Sequence, residues 1–516
     1  MAALVLNSST IPMVVAMEAV PSSPISLILP AIVLLLATIC VVTWTWRWML
    51  STNSSYRGPP RWPLVGSYIE VISNKQRIHD WVTDYAKLYK TFELRIGGTR
   101  EYQKELVLEG KETLARQYDF LGDGIFNSDG ETWKRHRKIL SYEFSSRKLR
   151  DFSSNIFKKN AIRLADILDS AAKSKQEVEL QDLFMRTTLD SICEIGFGLE
   201  FGSLSSLLPE VPFANAFDRA SEAIGHRSWD LFWRIGRALG LGYEKGLQDY
   251  IRLLDAFTFK VVQQRKKSIE EGNKNNEENT REDLLSRFTG FRDQYGEVMY
   301  KDKDLRDSIL NFVLAGRDTT AITLSWLVYL LCSNPDVLDK ISAELTSVLG
   351  DTKNVNISEF CELLTPEHLA QLHYLHAAVN EALRLYPPVP RDGKNALNDD
   401  VLPDGTKVKA GDRILYLPYS MGRMEFLWGN DALKFKPERW FKDNEFQSES
   451  PYKFSVFQAG PRACLGKDSA YLQLKITAAV LIRFFQFKLV PNHIVHYRLG
   501  LVLQMINGVK VFVSTR

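Results

Sequence analysis

The chain has 516 residues, of which 45% are apolar and 25% are charged, and its formal net charge at pH 7 is +3. This composition supports a large hydrophobic core, built either as one large helical domain or as two or more smaller domains. So small a net charge argues against a nucleic-acid-binding protein, because such proteins normally carry a strongly basic surface.

The first predicted element is a membrane-spanning helix over residues 25–46. This segment contains no charged residue and is long enough to cross a bilayer. Glu18 is the only charged residue before it, whereas Arg47 follows it directly. Because basic residues stay on the cytoplasmic side, the rest of the chain is predicted to face the cytosol. The alternative is a cleaved signal peptide, which would begin with basic residues and carry a shorter apolar run.

This anchor divides the chain into four predicted parts. A short non-cytosolic tail spans residues 1–24, and the anchor spans 25–46. A basic, proline-rich hinge spans 47–66, and a large body spans 67–516. Prolines fix φ and cannot donate hydrogen bonds, so the hinge is predicted to be stiff and extended rather than helical.

The body is predicted to be mainly helical, with small β-sheets. Residues 266–282 are charged and polar with Asn and Gly, which predicts a solvated loop. Two apolar runs flank Asn507-Gly508, a dipeptide typical of a β-hairpin turn. The remaining patterns predict helices over 131–139, 150–167, 182–195, 304–332 and up to Leu385, and strands over 92–96, 407–409 and 413–417.

The long helix over 304–332 is locally unusual. Gly316 lies in its middle, where glycine costs about 1 kcal/mol relative to alanine. Thr319 follows, and a threonine hydroxyl can bond back to a carbonyl and bend the helix. Such a weakened turn would open room for a small molecule, with Asp318 beside it to move protons. The alternative is a solvent-facing aspartate next to threonines of the core.

A pair of charged residues stands out in the helix that ends near Leu385. Glu381 and Arg384 are three residues apart and share one helix face. On a surface such a pair contributes only a few tenths of a kcal/mol. Its significance comes from the downstream segment Pro437–Trp440, which contains a second arginine, Arg439.

The most informative segment is Phe457–Gly466, which frames Cys464 as a candidate metal ligand. A thiolate ligand pushes electron density onto a haem iron, and flanking glycines let the backbone approach a flat ring. The alternative is a buried, inert thiol, the usual state of a free cysteine. The chain has five widely spaced cysteines, so neither a disulfide framework nor a zinc site is predicted, and a reducing compartment fits.

Three stretches together resemble the cytochrome P450 family. They are Gly460–Asp468 around the cysteine, Ala315–Thr320 in the long helix, and Gly405–Asp412. The resemblance covers nearly the whole chain. Within the family, the chain most resembles the plant branch that hydroxylates the terminal carbon of fatty acids. It implies the P450 fold, an α-rich triangular prism, with an N-terminal transmembrane helix, and haem b (iron protoporphyrin IX) as the cofactor.

The resemblance also implies how the haem is held. Cys464 is expected to be the axial ligand of the iron, with Phe457 shielding the sulfur and Gly460 allowing the close approach of the backbone. Four side chains are expected near the haem carboxylates: Trp133, Arg137, Arg462 and Arg391.

The resemblance assigns the remaining motif residues to oxygen chemistry and to support. Asp318 is expected to relay protons, and the Thr319 hydroxyl is expected to take part in oxygen activation. Glu381, Arg384 and Arg439 are expected to form a buried charge network that secures the haem-side core.

The implied protein is a single-pass enzyme of the endoplasmic reticulum membrane with its catalytic body in the cytosol. It would take electrons from NADPH through NADPH–cytochrome P450 reductase and use O2 to hydroxylate a lipid-like substrate, with no nucleic acid as a partner. A second enzymatic interpretation is a member of the family that rearranges peroxides, but the presence of Asp318 and Thr319 argues against it.

One segment departs from the family pattern. Between Arg100 and Leu121, where family members usually supply a second strand and a helix, residues 102–109 look short and differently composed. The pattern resumes at Gly122–Phe126. The alternative function is therefore a non-catalytic or degenerate haem-binding membrane protein.

Overall fold

The computed structural model describes residues 32–42, 44–45, 56–62, 65–96, 99–102, 111–205, 208, 210–274, 283–291 and 299–516. The chain divides into two units between Tyr56 and Arg57. In the first unit, Ile32–Val42 forms a short apolar helix, α1. Within the described residues, no single helix is both long enough and apolar enough to cross a membrane, and one pair of helices meets these criteria only across a bend of 109°. The rest of the predicted anchor over 25–46 lies mostly outside the described residues.

The second unit is mainly helical. Its α-helices are α2 (Tyr68–Ser73), α3 (Ile78–Tyr89), α4 (Lys111–Leu121), α5 (Gly130–Phe144), α6 (Arg147–Ser174), α7 (Leu180–Phe197), α8 (Pro212–Arg227), α9 (Trp233–Leu239), α10 (Leu247–Lys274), α11 (Leu284–Gly290), α12 (Asp302–Val313), α13 (Thr319–Ser333), α14 (Pro335–Leu349), α15 (Ile357–Leu363), α16 (Pro366–Gln371), α17 (His373–Leu385), α18 (Pro418–Met421), α19 (Glu425–Trp428) and α20 (Lys467–Phe484).

The strands are short and form small sheets. They are β1 (Glu93–Ile96), β2 (Thr99–Tyr102), β3 (Glu177–Glu179), β4 (Asp392–Asn395), β5 (Asp400–Val401), β6 (Lys407–Val408), β7 (Arg413–Tyr416), β8 (Phe441–Lys442), β9 (Glu445–Phe446), β10 (Phe485–Leu489) and β11 (Lys510–Thr515). The largest sheet has the order β1-β2-β7-β4, in which only β2 and β7 run parallel. A second sheet has the order β10-β11-β3, and β5-β6 and β8-β9 form two antiparallel pairs.

The long central helix lies inside the core. It consists of α12, one π-helical turn over Leu314–Asp318, and α13. Nearly every residue of α13 is buried, as expected for a helix that is apolar on all sides. It packs against α7, α17 and α20, so the core surrounds this helix.

The structure confirms the mainly helical architecture with small sheets and most of the predicted elements. The predicted helices correspond to α5, α6, α7, the central helix and α17, and the predicted strands correspond to β1, β6 and β7. In the segment from Arg100 to Leu121, the structure forms a strand, β2, and a helix, α4, while residues 103–110 lie outside the described residues.

Two local predictions were wrong. The first part of the loop predicted over 266–282 is helical instead, because α10 continues to Lys274 with ion pairs such as Lys267–Glu271 one turn apart, and residues 275–282 lie outside the described residues. The two runs flanking Asn507-Gly508 do not form a hairpin with each other. Instead β11 pairs with β10 and β3, and the Val509 amide donates to Glu179 at the start of α7.

Candidate active site

The cysteine segment is a tight loop that leads into α20. Gln458 and Gly460 both have positive φ, +65° and +69°, so the chain turns sharply twice before the cysteine. The Cys464 amide donates to the Phe457 carbonyl at 2.8 Å, and the Ala463 amide donates to the Gly460 carbonyl at 3.0 Å. These backbone hydrogen bonds therefore help to hold Cys464 directly before the N-terminus of α20.

The Cys464 thiol lies in a recess. Its side chain is solvent-accessible, yet protein atoms surround the sulfur closely enough for burial to raise the pKa of the thiol. The Gly466 amide and the positive charges of Arg137 and Lys467 oppose this shift, since each favours the anionic sulfur. A recessed sulfur with donors and cations around it has the surroundings that a thiolate ligand needs.

Three predicted haem-binding side chains meet beside this loop. The Arg137 guanidinium of α5 donates to the Ala463 carbonyl at 2.6 Å. The Arg462 guanidinium lies over the Trp133 ring, 4.5 Å from its centroid, and pairs with Asp129 at 2.5 Å. The spacing of Trp133 and Arg137 by one helical turn thus places both at the cysteine loop.

A buried hydroxyl next to this cluster tests whether the site suits an anionic group. The carbonyl of Ser128 accepts a hydrogen bond from Arg462 at 3.1 Å, while its own buried hydroxyl has no hydrogen-bond partner within the described part of the chain. A buried donor without a partner is costly unless something accepts from it. A carboxylate at this position would satisfy the hydroxyl and lie beside the Arg462 guanidinium, so these residues fit a haem propionate.

The other two predicted haem contacts each pack against an aromatic ring, Phe457 next to the cysteine loop and Arg391 against Trp229. Phe457 packs against Tyr471 of α20, with ring centroids 5.1 Å apart, so it covers the helix side of the cysteine loop. Arg391 lies over the ring of Trp229, which follows α8, at 3.9 Å.

The central helix widens where the sequence predicts a weakened turn. Leu314–Asp318 forms a π-turn, and the Thr319 hydroxyl donates back to the Ala315 carbonyl at 2.5 Å. A Cβ on Gly316 would lie 2.8 Å from the Ile192 side chain of α7, so glycine here allows the close packing of α7. Such π-turns occur frequently at functional sites.

The same turn carries an accessible stripe within an otherwise buried helix. Residues 305–313 and 320–328 are all buried, whereas Leu314–Gly316 and Thr319 are partly exposed. Between residues 305 and 328 the helix therefore borders accessible space only at this turn, where a small or apolar molecule can meet the Thr319 side chain.

Asp318 is buried in a three-membered ion cluster beside this turn. The Arg317 guanidinium donates to Asp318 at 2.9 Å and to both carboxylate oxygens of Asp218 on α8, at 2.5 and 3.1 Å. Burial raises the pKa of Asp318 to about 7, Arg317 opposes the rise, and Asp218 adds to it. A carboxyl group that titrates near neutral pH can both give and take a proton.

The predicted charge network centres on Glu381 and Arg384, which are completely buried, and Arg439 lies at its edge with 9% of its side chain exposed. Arg384 binds the Glu381 carboxylate through two nitrogens at 2.8 and 2.9 Å, and Arg439 binds it at 2.9 Å. Trp440 donates its indole N–H to the same carboxylate at 3.0 Å, and so does the Lys436 amide. The structure thus brings together the three residues that the sequence paired and adds two further donors.

A clamp on the loop after α4 was missed by sequence reasoning. The Asn311 side chain donates to the Leu121 carbonyl at 2.9 Å and accepts from the Phe126 amide at 3.1 Å. Asp307, one turn earlier, accepts from the Asp123 amide at 2.9 Å. Asp307 and Asn311 share a helix face with the accessible stripe, so the loop 121–126 is held beside it.

Other functional side chains were missed because only tertiary folding reveals them. Asp218 lies about a hundred positions from its partner Arg317, and Thr188 of α7 donates to the Arg317 carbonyl at 2.9 Å. Neither residue belongs to a motif. The only available signal was a polar residue within an apolar helical pattern.

The chain is similar to known proteins over most of its length. The family model described as Cytochrome P450 matches residues 56–508. Cytochrome P450 704B1 of Arabidopsis thaliana is 45% identical over 525 residues, covering 94% of this chain and 99% of its own. Cytochrome P450 704C1 of Pinus taeda is 46% identical over 480 residues, covering 88% and 92%. Cytochrome P450 86B1 of Arabidopsis thaliana is 40% identical over 490 residues, covering 90% and 87%.

Proposed function

Because the chain belongs to the cytochrome P450 family, whose members are haem-dependent monooxygenases, we propose that it is a membrane-bound enzyme that hydroxylates long-chain fatty acids at or near the terminal carbon. The observation that carries the proposal is the recessed thiol of Cys464 within a loop and helix that match the family. One atom of O2 enters a C–H bond and the other leaves as water. Two electrons come from NADPH through a reductase.

Residues on both sides of the site would hold the haem. Cys464 would bind the iron, while Arg137, Arg462, Trp133 and the Ser128 hydroxyl would meet the carboxylates. When bound, a thiolate-ligated haem supplies the chemistry that activates O2. The polypeptide supplies the sulfur, orients the ring and keeps bulk water away from the central helix.

The chain's own part in oxygen activation is proton transfer. Asp318 holds a proton near neutral pH because its buried carboxyl group shares Arg317 with Asp218. The Thr319 hydroxyl lies on the accessible stripe, where it can donate to a molecule in the site when it turns from the Ala315 carbonyl. We propose that protons pass from Asp318 to the Thr319 hydroxyl.

Replacing Thr319 with alanine is expected to uncouple NADPH use from hydroxylation. Without the hydroxyl, protons reach the reacting oxygen less selectively, so product formed per NADPH should fall about tenfold or more, with hydrogen peroxide released instead. The measurement is the ratio of product and peroxide to NADPH consumed. Thr320→Ala is the matched control, because the buried Thr320 side chain does not lie on the stripe. Unchanged coupling in Thr319→Ala would remove Thr319 from the mechanism.

Two observations favour a monooxygenase over the alternatives. The segment Arg100–Leu121 forms β2 and α4, so the departure in sequence does not remove these elements, and this weakens the case for a degenerate protein. The presence of Asp318 and Thr319 supports oxygen activation rather than peroxide rearrangement. The fatty-acid substrate rests on the likeness to the plant hydroxylase branch and on the apolar residues of the stripe.

We also propose that the body touches the endoplasmic reticulum membrane from the cytosolic side. Around α9, large apolar side chains are more than half exposed: Phe232, Ile235, Leu239, Leu241 and Tyr243. Tyr68 of α2 packs edge-to-face on Phe232 at 6.5 Å, and Ile69 and Ile72 of the same helix are also exposed. A cluster of exposed apolar residues of this kind marks a membrane or protein contact, and a lipid substrate would favour an entrance from the membrane.

This membrane contact predicts different surroundings for two exposed positions. In the full chain reconstituted in lipid vesicles, a nitroxide side chain at Leu239 should be relaxed by lipid-soluble oxygen. A nitroxide at Tyr142 of α5, which is 73% exposed, should respond instead to a water-soluble relaxant. Equal responses to the water-soluble reagent at both positions would place α9 in water.

The proposed function is tested in two steps. The reduced protein with carbon monoxide should show the red-shifted absorption band of a thiolate-ligated haem. With reductase and NADPH, it should then convert long-chain fatty acids to hydroxy acids oxygenated at the terminal end. A haem protein without that band would contradict the thiolate site, and a normal band without turnover of any fatty acid would contradict the substrate.

A further inference from the structure

Arg317 joins two carboxylates that lie in very different surroundings. The Asp318 side chain is 1% exposed, whereas the Asp218 side chain on α8 is 38% exposed. Arg317 itself is buried, and its Nε has no hydrogen-bond partner among the described residues. One terminal nitrogen of the guanidinium therefore donates to both carboxylates, and the other terminal nitrogen donates to Asp218 alone.

We propose that Asp218 is a positioning residue for proton delivery, which holds Arg317 away from a full pairing with Asp318 and so keeps Asp318 able to carry a proton. This inference rests on the proposed function, because it concerns the acid that serves the Thr319 hydroxyl. It makes α8 a part of the proton-transfer machinery, although Asp218 lies far from Asp318 in sequence.

The physical reason is that one guanidinium cannot fully neutralise two carboxylates. While Asp218 holds one side of the fork, Asp318 receives only part of the positive charge, and burial then favours its neutral form. If the Asp218 charge is removed, Arg317 is left with one partner. A buried arginine with a single carboxylate partner pairs with it as an ion pair, which lowers the proton affinity of Asp318.

The other charged groups around this cluster do not replace Asp218. Arg498, from the C-terminal segment, acts on Asp318 weakly and in the same direction as Arg317. On α7, the Cys193 thiol faces Arg317, but burial raises the pKa of that thiol far above neutral, so it carries no charge. The Asp190 carboxylate on the same helix accepts hydrogen bonds from the Ser203 hydroxyl and from two backbone amides.

The test is Asp218→Asn in the haem-loaded, full-length protein. The protonated carboxyl band of Asp318, identified in the infrared spectrum by its loss in Asp318→Asn, is followed as a function of pH. In Asp218→Asn its midpoint should fall by about one to three pH units, the range for a carboxylate that gains an unshared cation. The pH profile of coupled hydroxylation should shift in the acid direction by a similar amount.

Two further variants make the result specific. Asp249→Asn makes the same chemical change at an exposed aspartate that pairs with Arg252 on α10 at 2.6 Å and does not contact Arg317. This control should leave the Asp318 midpoint unchanged. Asp218→Glu keeps the charge and should restore most of the normal midpoint. If Asp218→Asn does not fold, Arg317→Lys serves instead. A lysine cannot bind both carboxylates as a fork, so the midpoint should again move.

An unchanged Asp318 midpoint in a folded Asp218→Asn or Arg317→Lys protein would overturn the inference. So would an equal shift in Asp249→Asn. The infrared midpoint does not depend on the substrate, so the absence of fatty-acid hydroxylation would contradict the proposed function without affecting this result.

Discussion

Replacing Glu381 with alanine is expected to lower the free energy of unfolding by about 3–5 kcal/mol and to abolish haem incorporation. Glu381 is completely buried, and its carboxylate is the only anion described within reach of both Arg384 and the Nε of Arg439. Its removal would leave a buried arginine charge without its counter-ion, and breaking a buried pair in this way is far costlier than losing a surface pair. The Trp440 indole would also lose its acceptor.

The haem should be lost because this network connects several segments around the site. Besides Glu381, Arg384 binds the carbonyls of Gly422, Ala432 and Lys434, and Arg439 binds the carbonyl of Trp428. The network thus joins α17 to the segments that lead towards the cysteine loop. If these segments move apart, the loop loses its support.

The measurements are haem content per protein and the midpoint of chemical unfolding. Glu438→Ala is the matched control, since Glu438 adjoins Arg439 but is 40% exposed and binds the Lys340 ammonium and the Tyr374 hydroxyl instead of the network. Its loss should cost at most about 1 kcal/mol. A Glu381→Ala protein with full haem content and unchanged stability would show that the network does not support the site.

Replacing Cys464 with serine is expected to abolish both the red-shifted carbon monoxide band and hydroxylation. A serine hydroxyl has nearly the same shape but does not supply a thiolate to the iron. The fold should survive, because the loop is held by backbone hydrogen bonds that serine preserves, such as that from the residue 464 amide to the Phe457 carbonyl. The free energy of unfolding of the haem-free protein, measured by thermal denaturation, should therefore change by less than about 1 kcal/mol, a value typical of substitutions that leave no cavity.

Cys332→Ser is the control for this experiment. Its thiol is half-buried and lies 3.6 Å from the Phe487 carbonyl. Because a hydroxyl can make the same contact, this variant should keep the absorption band and the activity. If Cys464→Ser retained the band, the assignment of the sulfur ligand would be wrong.

Local patterns were enough to predict the parts of the site that lie within one element. The weakened turn at Gly316 and Thr319 and the helix face shared by Glu381 and Arg384 both follow from spacing and from the properties of single residues. Between-element contacts were not predictable in this way. Asp218 and Asn311 are ordinary polar residues of amphipathic helices until the fold places Arg317 and the loop 121–126 beside them.

The errors have physical causes of the same kind. A polar, charged composition predicted a loop after Lys266, but charged residues spaced one turn apart also stabilise an exposed helix, and α10 continues to Lys274. Gly508 does adopt φ +62°, but the chain does not reverse there, because residues before and after the turn pair with the same upstream stretch: Met505 with Tyr497 and Val511 with Leu489. The strand that follows joins partners from distant parts of the sequence instead of its neighbour.

The clamp on the loop 121–126 has a consequence for which of the loop's residues can be exchanged. In this loop, Asp307 and Asn311 bind backbone amides and carbonyls and no side chain. The Phe126 side chain extends from the loop and is 40% exposed. Side-chain identity at position 126 is therefore independent of the bonds that hold the backbone in place. Gly122 and Gly124 have no such latitude, since a methyl group on either would collide with Asp307 or Asn311. Side chains of this loop can thus be exchanged on an unchanged backbone at position 126 but not at its two glycines.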